Sequence, residues 1–158
     1  MAVTFVGIDP GLSGAVAVIP GDGSNPVVWD MPTVVVKATR RDYLLAELVR
    51  IVERLGPGCA AAVERGIAMP SQSSSSTWMN GRGSGLVEGV LAALGVPYEL
   101  VTPQKWKGAL GIAQGADKGA SRMVAMRLFP ALHRSFERVK DDGRAEALLI
   151  AEYRRRQG

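Results

Sequence analysis

The sequence predicts an α/β fold, a five-stranded mixed sheet with helices on both faces. Three observations lead there. Apolar β-forming runs at Val3–Ile8, Ala15–Ile19, Val27–Trp29, Cys59–Val63 and Tyr98–Val101 are each closed by turn residues. Between and after the last three lie stretches with helical spacing of apolar residues. With 158 residues, 47% apolar and 6% aromatic, the chain has enough material for one well-buried core, read as a single domain over residues 1–158.

The first two strands form a tight hairpin, VTFVGIDPGLSGAVAVI, with Pro10, Gly11 and Gly14 making the bend. It leaves Asp9 at the end of a buried apolar run, where a carboxylate is costly unless water, a donor or a cation satisfies it. A hydrogen bond to the backbone of the Pro-Gly turn is the competing structural role for Asp9. After a Gly-, Ser- and Asp-containing turn, Val27–Trp29 makes the third strand of an antiparallel set. Leu44, Leu45, Leu48, Val49, Val52 and Leu55 then predict an amphipathic helix over Arg41–Leu55, ended by Gly56-Pro57-Gly58. The wholly apolar Cys59–Val63 suits a central strand parallel to the first, and it ends at Glu64.

Residues 65–85, RGIAMPSQSSSSTWMNGRGSG, are rich in Ser, Gly and Asn without periodicity and predict a flexible loop of the kind compact domains keep for function. Met69, Trp78 and Met79 are large apolar residues in that polar setting, flanked by Arg65 and Arg82, a mixture suited to stacking on or wedging between bases. A helix over Gly85–Leu94 follows, with Gly85, Gly89, Ala92 and Ala93 as small residues that let another element approach. Tyr98–Val101 is the fifth strand. Thr102-Pro103 opens a short helix as N-cap and first-turn proline, carrying Lys105, Trp106 and Lys107. Helices over Asp117–Leu128, with Lys118 and Arg122 at its start, and Asp142–Arg156 complete the chain.

Composition narrows the chemistry. Nineteen Lys and Arg against fifteen Asp and Glu give a net charge of +4, which suits an anionic partner. One cysteine, Cys59, and one histidine, His133, exclude a disulfide framework and a Cys/His zinc site, so any metal is held by oxygen. No apolar run is long enough to cross a bilayer and the start MAVTFVG has no signal-peptide pattern, so the expectation is an intracellular protein without a membrane partner.

Four acidic positions stand at element ends: Asp9, Glu64, and Asp142 with Glu146 one helical turn further. Parallel neighbouring strands would deliver Asp9 and Glu64 to one sheet edge, and packing of the last helix on the sheet would bring its acidic side there. Converging carboxylates repel and shift upward in pKa unless cations neutralise them, and two Mg²⁺ ions would do so. The competing structural roles are helix capping for Asp142, a solvated ion pair near Arg144 or Arg154 for Glu146, and a loop cap for Glu64.

The segments GIDPGLSGA at 7–15, VERGIAMP at 63–70, TPQKWK at 102–107 and DDGRAEALLIAEY at 141–153 resemble RuvC-type Holliday-junction resolvases. The branch with the plant chloroplast resolvase and related bacterial and phage proteins is the nearest. GIDPG is shared with actin-like ATPases; GRAEALLIA after an acidic residue is more specific. The resemblance implies a ribonuclease H-like fold, a homodimer, and Mg²⁺-dependent symmetrical nicking of four-way DNA junctions in recombination and repair, with Mn²⁺ a substitute. It places the catalytic and metal-holding roles on Asp9, Glu64 and Glu146 plus an upstream acid. Where the best-known bacterial members carry that acid three residues before the last, this chain has Gly143, so Asp142 is the choice by helical geometry and Asp141 the alternative. In this reading Asp9 bridges two ions, Glu64 holds one and orients the nucleophile, and Asp142 and Glu146 hold the other. Lys105, Lys107, Lys118 and Arg122 are expected on DNA phosphates, Arg65 and Arg82 beside the loop, and Met69 as a wedge at the junction centre. The helix at Gly85–Ala93 is expected to seat against its twin across a two-fold axis. The location implied is a bacterial cytoplasm or nucleoid, or a host cytoplasm for a viral protein. The rival readings are a non-catalytic junction-binding module, a nuclease of the same fold acting on structured RNA, and an actin-like phosphotransferase, which would need a second such domain.

Overall fold

The computed structural model describes residues 3–158. Strands β1 (Thr4–Asp9), β2 (Ala15–Pro20) and β3 (Val27–Asp30) are followed by a separate ribbon of β4 (Thr33–Lys37) and β5 (Arg40–Tyr43). Helix α1 (Leu45–Glu53), β6 (Cys59–Glu64), α2 (Ser74–Ala93), β7 (Tyr98–Val101), α3 (Pro103–Ala109), α4 (Ala120–Leu128) and α5 (Asp142–Gln157) complete the order, with 3₁₀ turns at Pro130–Phe136 and Val139–Asp141 before α5. The main sheet runs β3-β2-β1-β6-β7, with β1 antiparallel to β2 and parallel to β6, so the expected five-stranded mixed sheet is present.

Alternation along the strands sorts the two faces. Val6, Ile8, Val16, Val18, Ala61 and Val63 point to one side and pack with Leu48, Ile51 and Val52 of α1 and Val87, Val90 and Leu91 of α2. Ala15, Ala17, Ile19 and Ala62 point to the other, against α5 and Trp106, Phe136 and Ala125. That second face is built from small residues because α5 lies almost on the main chain. A Cβ on Gly7 would stand 2.1 Å from the carbonyl oxygen of Ala147, and one on Gly143 would stand 2.1 Å from that of Ser13. Helix α5 is covered on both sides, which is why Ala145 and Ala147–Tyr153 are all buried.

Four expectations are corrected. The helix predicted from Arg41 begins only at Leu45, because Arg40–Tyr43 pairs with Thr33–Lys37 through a turn at Ala38, whose φ is 47°. The β-branched run Thr33–Val36 was the signal for that ribbon. Leu44 and Leu45, read as a buried stripe, are exposed; Leu48, Ile51 and Val52 are the buried face. The flexible loop expected over residues 65–85 is irregular only as far as Ser73. Ser73 caps α2 by accepting from the Ser76 amide, and the helix then runs for 20 residues. Its Ser, Gly and Asn are poor helix formers, and packing of Gly83, Val87, Val90 and Leu91 supplies what propensity does not. Gly83 reads in the sequence as a loop glycine, yet it is where Tyr43 and the Pro10 carbonyl press against the helix. Helix α4 starts three residues later than expected, at Ala120, after a turn in which Asp117 accepts from the Gly119 amide.

Candidate active site

Strand parity and register bring the first two carboxylates together. Asp9 follows Gly7 by two residues and Glu64 follows Ala62 by two, so both side chains leave the sheet on the α5 face. Gly7 is paired with Ala62 and Ile8 with Val63 in the parallel β1–β6 ladder, and the next step of that register sets Asp9 beside Glu64. From above, the close seating of α5 on Gly7 and on the Ser13-Gly14 turn carries Glu146 over the same sheet end.

Each acidic group has a distinct partner. Asp9 is half-buried and its Oδ1 accepts from the Gly11 amide at 3.1 Å, so the turn-bonding role foreseen for it is real and fixes one oxygen. Its pKa is nevertheless raised to about 6, chiefly by burial and also by Glu146. Glu64 accepts from Nε1 of the wholly buried Trp106 at 2.8 Å. Burial, Asp9 and Glu146 push its pKa to about 7. Glu146 meets Lys107 Nζ at 3.0 Å, rather than the arginines near it in sequence, and Lys107 partly offsets the charge felt by Asp9 and Glu64. Asp142 lies one turn from Glu146 but accepts from Arg122 Nε at 2.7 Å, and Arg122 also donates to the Glu137 carbonyl at 3.2 Å. Asp141 is buried and held by Arg138 through its backbone amide and guanidinium at 2.8–3.1 Å, which keeps its carboxyl below the usual range. That pairing gives Asp141 a structural task at the start of α5.

Two cavities meet at Pro103 and Gln104. One, of about 330 Å³, contains Asp9, Glu64, Arg65, Met69 and Asn80; the other, of about 620 Å³, contains Lys107, Lys118, Asp142 and Glu146. Of the residues expected on DNA, Arg65, Met69, Lys107 and Lys118 thus line the site. Arg122 is taken up by Asp142, and Arg82 is paired with Asp42 and lies 5.9 Å from the Tyr43 ring centroid. Lys105 points to Tyr153, 5.9 Å from its ring centroid, in a separate cavity with Tyr98 and Glu99. Trp78 stands exposed on α2. Sequence reasoning missed Trp106 as the donor to Glu64; the signal was an aromatic between two lysines just after a strand end. It also missed that Gly143 has no room for a side chain, because a Cβ there would meet the Ser13 carbonyl.

The donor set is all oxygen and carries negative charge that Lys107 alone does not balance, which fits a hard divalent cation at Asp9, Glu64 and Glu146. Asp142 does not join them while Arg122 holds it. Among the described residues no three acidic, His or Cys side chains stand close enough to enclose one ion, and Glu146 is paired with Lys107.

No protein-family model matches the chain, and no curated protein matches it. Solved structures do. Thermus thermophilus RuvC is 20% identical with a TM-score of 0.63, covering 96% of this chain and 92% of that one. T. thermophilus RuvC in complex with Holliday junction substrate is 18% identical with a TM-score of 0.61, over 99% and 96%. The yeast mitochondrial Holliday junction resolvase Ydc2 is 14% identical with a TM-score of 0.53, over 96% and 78%. Asp9, Glu64 and Glu146 therefore converge at one end of a sheet that has the RuvC, ribonuclease H-like fold.

Proposed function

We propose that this protein is a Holliday-junction resolvase, a divalent-metal-dependent endonuclease that nicks four-way DNA junctions symmetrically as a homodimer. The observation that carries this is the meeting of Asp9, Glu64 and Glu146, from two strands and a helix distant in sequence, in the fold of proteins that include a RuvC solved with junction DNA. Asp9, Glu64 and Glu146 would hold Mg²⁺, with Mn²⁺ a substitute. Asp142 completes the set on release from Arg122. When bound, the ions supply the positive charge the site lacks, activate water and stabilise the leaving oxygen of the phosphodiester.

The chain's own groups do the rest. Glu64, fixed by Trp106, orients the attacking water, and Asp9, fixed by Gly11, holds the centre of the site. Lys107 and Lys118 steady the phosphate from the adjoining cavity, and the exposed Met69 faces the junction centre from the loop after Glu64. Pairing of two subunits is supported by the outer side of α2, where Gly81, Gly85 and Gly89 are exposed and a Cβ on any of them meets nothing within 4 Å. Those glycines serve no packing inside the subunit and leave a smooth helix surface for close approach of a second copy. An intracellular site of action follows from the substrate.

The test incubates end-labelled four-way junctions with the protein in Mg²⁺, in Ca²⁺ and without metal. Paired, symmetrically placed nicks with ligatable ends in Mg²⁺ are expected. Binding without cleavage under every metal, or cleavage of structured RNA in preference to junctions, overturns the proposal.

A further inference from the structure

The ribbon β4–β5 stands outside the main sheet and takes no part in the site as described. Its foot is nevertheless bolted to the turn that follows Asp9. Tyr43 is buried and its hydroxyl donates to the Pro10 carbonyl at 2.9 Å, the Leu44 amide donates to Pro32, the Met31 amide donates to Gly14, and Arg41 Nη2 donates to Ser13 Oγ at 2.8 Å. Everything beyond the foot is open: residues 34–41, VVVKATRR, are all exposed, and they contain three cations and no acid. The ribbon's one acid, Asp42, is paired with Arg82. Among the described residues Lys37, Arg40 and Arg41 meet no carboxylate, although a dozen other ionic groups of this protein find partners close by. Arg41 is also shared by two grooves. One lies against the start of α2 with Arg40, Ser75 and Ser76; the other lies against Arg138 and Lys140.

We propose that this ribbon is a clamp for duplex DNA, holding one arm of the junction beside the cut, with Lys37, Arg40 and Arg41 on backbone phosphates. The inference rests on the function proposed above and adds to it a contact surface on the ribbon, beside Arg82 of the expected DNA-binding residues. A two-stranded ribbon matches a major groove about 12 Å wide. Among the described residues its cations form no ion pair, so they bind phosphate without first breaking one. Charge also decides the occupant. A second copy seated here across a two-fold axis would set a cationic patch against itself, whereas a polyanion complements it. The anchoring to Pro10, Ser13 and Gly14 gives the clamp its purpose, since an arm held there has its backbone fixed relative to the turn that carries Asp9.

The experiment compares wild type with the Lys37→Ala/Arg40→Ala double variant, which leaves the Arg41–Ser13 contact untouched. Affinity for a fluorescent four-way junction and for a linear duplex is measured in Ca²⁺ from 50 to 200 mM salt. Loss of two phosphate contacts flattens the slope of log affinity against log salt by about 2, weakens both ligands alike, and leaves the thermal midpoint unchanged. An unchanged slope in a variant whose wild type binds junctions overturns the clamp and leaves the resolvase reading intact. Wild type that fails to bind junctions overturns both. A change from dimer to monomer in sedimentation with no change in slope assigns the ribbon to subunit contact and overturns the clamp. Lys37→Glu/Arg40→Glu provides the stronger perturbation, with a larger loss expected in the same direction.

Discussion

Replacing Asp9 with Asn isolates the electrostatic cost of the site. In the fold the Asp9 carboxyl titrates at about 6 instead of 3.8, because burial and Glu146 disfavour its charge. A rise of roughly two pKa units corresponds to about 3 kcal/mol. The sign follows from proton binding. Between those values the folded chain keeps a proton that the unfolded chain releases, so the stabilising contribution is complete below pH 3.8 and disappears as pH rises through 6. Above that, the ionised group burdens the metal-free protein. Asn keeps an oxygen for the Gly11 amide and carries no charge. Asp9→Asn is therefore expected to match wild type near pH 4 and to exceed it by about 2–3 kcal/mol at pH 8 in EDTA, a rise of about 5–10 °C in thermal midpoint. Saturating Mg²⁺ narrows the gap, because it stabilises wild type by binding the site the variant has lost. Junction binding persists and nicking is abolished. Urea denaturation at pH 4, 6 and 8 with and without metal gives the answer. A difference independent of pH, or an Asn variant less stable than wild type at pH 8 in EDTA, would refute the reasoning and make Asp9 a turn residue only.

Trp106→Phe keeps the ring volume and removes the donor to Glu64, and a 10–100-fold loss of Mn²⁺ affinity by calorimetry is expected with the fold intact; unchanged affinity makes Trp106 a packing residue. Gly143→Asp restores an acid three residues before Glu146, yet its Cβ meets the Ser13 carbonyl, so a stability loss of about 3 kcal/mol or more in urea denaturation is expected without any gain in metal affinity. Gly85→Leu adds bulk only to the outer side of α2, so circular dichroism should show a folded subunit while sedimentation shows a monomer, and paired nicking should fall to single nicks. Arg122→Ala frees Asp142, and tighter binding of a second Mn²⁺ is expected in the same calorimetric assay; a weaker one means that Arg122 serves DNA or the fold instead.

The main sheet was legible because its strands combine β-branched or alanine runs with hard stops, and because Asp9 and Glu64 sit at those stops. The last helix was legible as a helix and as the carrier of Glu146. Other features left weaker traces. Segment 74–85 has the composition of a loop, and its helix rests on the Ser73 cap and on packing that includes contacts of Gly83 with Tyr43 and Pro10, far away in sequence. Lys107 and Arg122 look like free cations in the sequence, since nothing local reveals that Glu146 and Asp142 would claim them. Strands β4 and β5 are separated by only two residues, and a helical reading from Arg41 onward hid the second of them.

Where a helix and a sheet are spaced by large side chains, each substitution at the boundary shifts one against the other. Here glycine and alanine on both surfaces leave peptide groups in contact, so the separation of α5 from β1 is set by the dimensions of the backbone itself. Aliphatic residues elsewhere can then change over long divergence without altering where the acidic groups stand. Matches at 14–20% identity that still span nearly this whole chain are the outcome such an arrangement permits.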